Sequence, residues 1–378
     1  DIKRNTVFMT SYCNTYAIIS NNLMNKLYLL AWIGLSWIMY PFLSWKSKIR
    51  DQKLGDDKRI LVIPQYSRVG DIVCSTPVLY NLKRTFPNSY VSVLVSKKAI
   101  GILKNNPHID EFIILEDYSQ YGLINRLREG NFNWSINLSA TSVNTCLALW
   151  ACIANRIKTV VEDKPITEKM TDCMSNHKLL YRNHTYLPQH HINLLKFLNI
   201  NNPIDKKEVF VSENAEVRAQ TWRDAIPKDS RIIGISITAG NKIKELGDDK
   251  FEILIRRLLE MKDIIVCIIG SKGDSERIED FVNRFNDSRC IKSTDFNLEE
   301  LPSLMKKFSL YIAVDTGPIY IAHALGIPLI DIIGPVDPNE QPPQDNKSIR
   351  VLPRGDVKPS SFVFKRRGEK SEIERAIK

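Results

Sequence analysis

The chain has 378 residues, 43% hydrophobic and 25% charged. That is length enough for two domains, and it excludes disorder, collagen-like repeats and low complexity over most of the chain. Its 53 Lys and Arg against 43 Asp and Glu leave a net charge of +10. A basic surface attracts phosphates, on nucleic acid, anionic lipid or phosphorylated glycan. No zinc finger, helix-turn-helix or aromatic RNA-binding motif accompanies that charge, so nucleic acid is not an expected partner. Cys13, Cys74, Cys146, Cys152, Cys173, Cys267 and Cys290 form no C-x-x-C pair and read as reduced thiols. Histidine is scarce and H-E-x-x-H is absent, so no protein-held metal is expected.

In chain order, residues 1–58 form an N-terminal tail. Within it, 27–43 (LYLLAWIGLSWIMYPFL) carry no charge, at the short end of a membrane-spanning helix. Trp32, Trp37, Trp45, Tyr28 and Tyr40 suit a membrane–water interface, and Lys46, Lys48, Arg50 and Lys53 follow at once. The segment reads as a monotopic anchor or a short span, the alternative being a helix buried on the main body. A cleaved signal peptide fits less well, since 26 residues precede the run and no small-residue cleavage site follows it. Pro41 is expected to end the helix, with KSKIRDQKLGDDKR as a linker.

From Arg59, apolar runs alternate with amphipathic segments. Strands are expected at 59–64, 90–95, 111–115 and 134–138, with helices at 72–86, 97–105 and 119–129. Residues 162–188 read as loop-rich, and 190–200 as a closing helix. A second series repeats the grammar, with strands at 231–237, 263–270, 310–315 and 328–334 and helices at 248–262, 274–285, 298–307 and 317–325. Near-continuous apolar strands separated by helices imply parallel sheets covered on both faces. The expected organisation is an α/β chain with Rossmann-like domains at 59–205 and 206–340 and a C-terminal tail at 341–378 carrying a short helix at 369–377. Ligands of such sheets bind beyond the carboxyl ends of the strands, here in a cleft between the halves.

Three loops carry candidate chemistry. Gly70-Asp71 follows the first strand, where Asp71 reads either as a helix N-cap or as a general base. Thr238-Ala-Gly240-Asn-Lys242-Ile-Lys244 is a small-residue loop with lysines, suited to a diphosphate, although it does not match a P-loop. Asp315-Thr316-Gly317-Pro318 ends a buried strand and opens a helix whose N-terminal amides can bind phosphate while Asp315 accepts bonds from sugar hydroxyls.

Taken together, GDIVCSTPVLYNLKRTFPN (70–88), KELGDDKFEIL (244–254) and DTGPIYIAHALGIPLIDIIGPVDP (315–338) make the chain resemble glycosyltransferase family 9, the heptosyltransferases of lipopolysaccharide assembly, over roughly 59–340. The resemblance implies a GT-B fold and an inverting, metal-independent glycosyltransferase without cofactor, whose substrate is a nucleotide-diphosphate sugar, typically ADP-heptose. It assigns the general base to Asp71. Donor binding falls to Lys244, Asp315, Thr316, Gly317, Pro318, Tyr320, Asp274 (ribose), Phe296 (against the base) and Gly240. Two departures stand out: Tyr320 where the family commonly has His, and Leu246-Gly247 where it has Trp-Pro. His323 reads as a core residue or a support to the site residues rather than a catalytic group. A lipopolysaccharide-core or other lipid-linked acceptor, met at the cytoplasmic face of the inner membrane, fits the apolar segment and the charge. Arg68, Lys97 and Lys98 are candidates for its acidic groups. The alternatives are a glycosyltransferase with another nucleotide-sugar donor and a non-catalytic nucleotide-sugar-binding protein at the membrane. A nicotinamide dehydrogenase is disfavoured because no G-x-G-x-x-G follows either first strand.

Overall fold

The computed structural model describes residues 23–54, 58–162 and 164–353, so the helix expected at 369–377 lies outside the described residues. Two compact units emerge. The first takes residues up to Arg68 together with 75–100 and 107–206; the second takes 207 onward with two short segments, 69–74 and 101–106.

In the first unit, β1 (Arg59–Ile63), β2 (Tyr90–Val95), β3 (Glu111–Ile114), β4 (Trp134–Asn137), β5 (Asn155–Val161) and β6 (His177–Tyr181) form a six-stranded sheet in the order β3-β2-β1-β4-β5-β6. All five pairings are parallel. β1 and β2 are mostly apolar and buried almost throughout, as strands covered on both faces must be. The second unit repeats the arrangement with β7 (Arg231–Ser236), β8 (Ile264–Ile269), β9 (Cys290–Ser293), β10 (Leu310–Val314), β11 (Leu329–Ile332) and β12 (Ser348–Val351), ordered β12-β11-β10-β7-β8-β9. Its pairings are parallel as well. Numbered within each unit, both orders are 3-2-1-4-5-6, the dinucleotide-fold order, whose switch point lies between the first and fourth strands. In the second unit that point falls between β7 and β10.

The sequence reading missed β5, β6, β9 and β12. Apart from β5, these are outermost strands of their sheets, and His177-Lys178 in β6 or Ser348 and Arg350 in β12 break up the apolar run that marks a central strand. β12 lies in the stretch read as tail, and β6 in the stretch read as loop. The helix expected over 97–105 is only a 3-10 turn at Ile100–Ile102.

The N-terminal expectation also needs correction. Helix α1 runs from Leu23 to Leu54, straight through Pro41 and through most of the segment read as a linker. Proline inside a helix removes one backbone bond and crowds the preceding turn, at a cost of about 3 kcal/mol. Tertiary contacts on both sides of Pro41 offset that cost. Trp32, Ile33 and Leu43 join the core of the first unit with Leu147, Ala151 and Met174. Beyond the proline, Arg50 donates to the Ala151 carbonyl at 2.9 Å.

Candidate active site

β7 and β10 deliver two loops to the switch point of the second unit. After β7, residues 238–247 fold back on themselves. The Asn241 side chain accepts from the Ile243 amide at 3.3 Å, and Glu245 accepts from the Ala239 amide at 3.2 Å. Arg277 braces the loop from outside, donating to Glu245 and to Asp248, each at 2.9 Å. Asp248 opens helix α8 (Asp248–Leu259), preceded by Gly247 at φ +96°, a conformation that explains glycine there. Gly240 has no such constraint, since a Cβ would meet nothing within 4 Å.

This bracing presents Lys244 to Asp315, which lies just beyond β10. The Lys244 ammonium donates to Asp315 Oδ2 at 2.6 Å, and Asp315 is buried. The other oxygen, Oδ1, accepts from the Tyr320 hydroxyl at 2.5 Å. Tyr320 sits in the first turn of helix α11 (Gly317–Ala324), which Thr316 caps by position and Pro318 opens as one of its first residues. Burial, and next the charge of Asp315, push the Tyr320 hydroxyl well above the usual phenol range. It is therefore a hydrogen-bond donor, and its single O–H is spent on Asp315.

The segment 69–74 packs in this same unit. It belongs to helix α2 (Val69–Thr85). A Cβ on Gly70 would lie 2.8 Å from the Tyr320 ring, and one on Gly317 would lie 2.9 Å from Val69 Cβ. Glycine at both places lets the two backbones approach. Asp71, next in sequence, is buried in the first turn of α2, and its Oδ1 accepts from Gln341 Nε2 at 2.9 Å. The N-cap position of α2 is Arg68, which makes no side-chain cap, so Asp71 is not the cap residue.

The remaining candidates are less closely joined. Asp274 closes a capping box after β8, accepting from the Ser271 amide at 3.1 Å and hydroxyl at 2.5 Å. Phe296 is buried, with the Arg218 guanidinium 4.6 Å over its ring and Trp222 edge-on at 6.4 Å. Arg68, Lys97 and Lys98 are exposed on the first unit, and Lys97 pairs with Asp117 at 2.6 Å. His323 is mostly covered and lies 3.3 Å from Asp345.

Two members of the cluster were not singled out from sequence. Gln341 follows a proline-rich stretch with no periodicity to flag it. Asp331 was visible as a lone carboxylate in the apolar run Leu329-Ile-Asp-Ile-Ile333. It is fully buried on β11, and neither of its oxygens has a hydrogen-bond partner among the described residues. Desolvation, then the charge of Asp315, push its carboxyl well above the usual range, against the opposite pull of Lys244 and Arg350. Burial and the Asp315 charge both disfavour the charged form of Asp331.

A family model, glycosyltransferase family 9 (heptosyltransferase), matches residues 123–361, more than half of the chain. The chain belongs to this family. It is a glycosyltransferase. Among curated family relatives, lipopolysaccharide heptosyltransferase 3 of Escherichia coli K12 is 24% identical over 71% of this chain and 80% of the relative. Lipopolysaccharide heptosyltransferase 1 of Campylobacter coli is 23% identical over 72% of this chain and 83% of the relative. The structure of E. coli ADP-heptose lipopolysaccharide heptosyltransferase II superposes with a TM-score of 0.67 at 20% identity, covering 78% of this chain and 90% of the other. A family 9 glycosyltransferase structure from Veillonella parvula gives 0.68 at 21%, covering 78% and 85%. Together with the two doubly wound sheets, these likenesses establish the GT-B fold.

Proposed function

We propose that this glycosyltransferase moves heptose from ADP-heptose to a lipopolysaccharide-core or other lipid-linked glycan, with inversion and without a metal. The observation that carries the reading is the continuous cluster Lys244–Asp315–Tyr320, with Gly70 against the tyrosine ring and Asp71 next in the chain. The sugar, the nucleotide and the acceptor class follow the similar lipopolysaccharide heptosyltransferases, one of them an ADP-heptose enzyme.

Inverting transfer needs a base for the acceptor hydroxyl and a counter-charge for the departing diphosphate. Asp71 takes the acceptor proton as the acceptor oxygen bonds to the anomeric carbon and the bond to the diphosphate breaks. Lys244 and the amides at Thr316 and Gly317 receive the charge that develops on the leaving group. Asp315, held by Lys244 and Tyr320, orients the sugar. Asp274 serves the ribose and Phe296 lies towards the base, with Gly240 and Pro318 shaping the donor loops. In this reading residues 59–205 hold the acceptor, with Arg68, Lys97 and Lys98 meeting its acidic groups, and 206–340 hold the donor. The enzyme works peripherally or monotopically at the cytoplasmic face of the inner membrane.

The test is Asp71→Asn. The substitution keeps the shape and can still pair with Gln341, yet it cannot accept a proton. Transfer should fall by about 100- to 10,000-fold, with ADP affinity by calorimetry unchanged. Turnover near the parent rate removes Asp71 from the role. Thermal stabilisation by ADP, compared with UDP and GDP, tests the donor nucleotide separately.

A further inference from the structure

Helix α1 carries no charge over residues 27–43, yet only one side of it is covered. Trp32, Ile33, Ser36, Leu43 and Ser47 are buried against the first unit. The opposite side carries Leu35, Ile38, Phe42, Trp45 and Ile49, spaced i, i+3, i+7, i+10 and i+14 on one stripe, all exposed, Ile38 at 77%. Two neighbouring helices add exposed side chains beside it. Trp37 donates to the Met170 carbonyl at 2.8 Å, placing helix α5 (Ile166–Thr171) alongside, with Ile166 exposed at 72%. Tyr28 donates to Gln120 at 2.7 Å, at the start of helix α3 (Gln120–Glu129), and the neighbouring Tyr121 is exposed at 71%. A run of exposed apolar side chains along one helix face marks an interaction face.

Resting on the reading that the enzyme works at a membrane, we propose that this face is a monotopic docking surface. Helix α1 lies in the plane of an anionic bilayer with its outer stripe in the acyl boundary, and Ile166 and Tyr121 enter beside it. Charge argues for lipid as the occupant. Lys46, Lys48 and Lys53 are exposed around Trp45, and the helix holds no acidic residue before Asp51. Basic side chains flanking an aromatic, apolar stripe match anionic headgroups over acyl chains.

The helix is long and apolar enough to cross a bilayer. Its tethering argues for the in-plane arrangement instead. Besides the bonds from Tyr28 and Trp37, Ser36 accepts from Trp150 at 2.8 Å, and Arg50 donates to Ala151 at 2.9 Å. Contact with the folded unit thus extends from Tyr28 to Arg50. Spanning with these contacts intact would carry strand- and loop-bearing polar structure into hydrocarbon.

The test uses the full chain and sedimentation with vesicles of phosphatidylethanolamine and phosphatidylglycerol, against phosphatidylcholine alone. The parent should bind the anionic vesicles in preference. I38E/F42E should weaken binding at least about tenfold, I166E measurably, and K46E/K48E by about fivefold per lysine. Unchanged melting temperatures and unchanged transfer to a water-soluble, delipidated acceptor separate docking from both folding and chemistry. A loss of transfer with vesicle binding intact would strike at the enzymatic reading alone. Nitroxide depth measurements at Leu27, Ile38 and Ile49, in a background carrying Cys13→Ser and Cys173→Ser, should give one shallow depth at all three. A progression through the bilayer would overturn the in-plane arrangement. So would no vesicle binding, or a dimer in solution that I38E/F42E dissociates.

Discussion

At the residue scale, the site turns on how Asp315 spends its two oxygens. One faces the Lys244 ammonium and the other the Tyr320 hydroxyl. The sequence showed each of these residues and placed all three in donor binding. It did not show that Tyr320 is occupied by Asp315, because a five-residue spacing across a strand end and a helix start has no fixed geometry. In this arrangement tyrosine holds the carboxylate in place. Tyr320→Phe therefore removes one charge-assisted bond from a buried acid, at about 1–3 kcal/mol. Transfer kinetics at varied donor concentration should show kcat/KM reduced by about tenfold or more, with the phenyl ring still seated against Gly70. Unaltered kinetics would mean that Lys244 alone orients Asp315.

Among the elements, the central strands were legible because their apolar runs are long and bounded by turns; β1, β2, β7, β8 and β10 each fall within or very near the expected limits. Among the outermost strands, β3 was legible from its apolar run, whereas β6, β9 and β12 were not, since they mix charged or polar side chains with apolar ones. Helix α1 shows a different failure. Local grammar gave Pro41 as a stop, while tertiary packing beyond it kept the chain helical. Its inner face therefore belongs to the first unit. Removing residues 1–54 should bare Leu147, Ala151 and Met174, which pack with Trp32, Ile33 and Leu43. Burying side chains of that size contributes about 1.5–3 kcal/mol each. The shortened protein should melt several degrees lower and bind a hydrophobic dye. A melting temperature equal to the parent's would show the helix to be dispensable to the unit.

For the molecule as a whole, the buried acid at Asp331 links folding to pH. A single carboxylate in an apolar strand hints at it, but the upward shift comes from burial in the folded sheet and then from the charge of Asp315, against the opposite pull of Lys244 and Arg350. Its native pKa is raised, so between the unfolded carboxyl value near 4 and the native value the folded chain binds the extra proton. The stabilising contribution of that proton is complete below the unfolded pKa and is lost as pH rises towards the native one. Asp331→Asn has nearly the same shape and does not titrate. The melting temperature of D331N relative to the parent should be nearly level at pH 4 and climb with pH, by up to about 1.4 kcal/mol of stability per pH unit across that window. A difference that stays flat from about pH 4 to neutrality would place an ionised Asp331 in the native protein, and Lys244 would then have to serve two carboxylates rather than one.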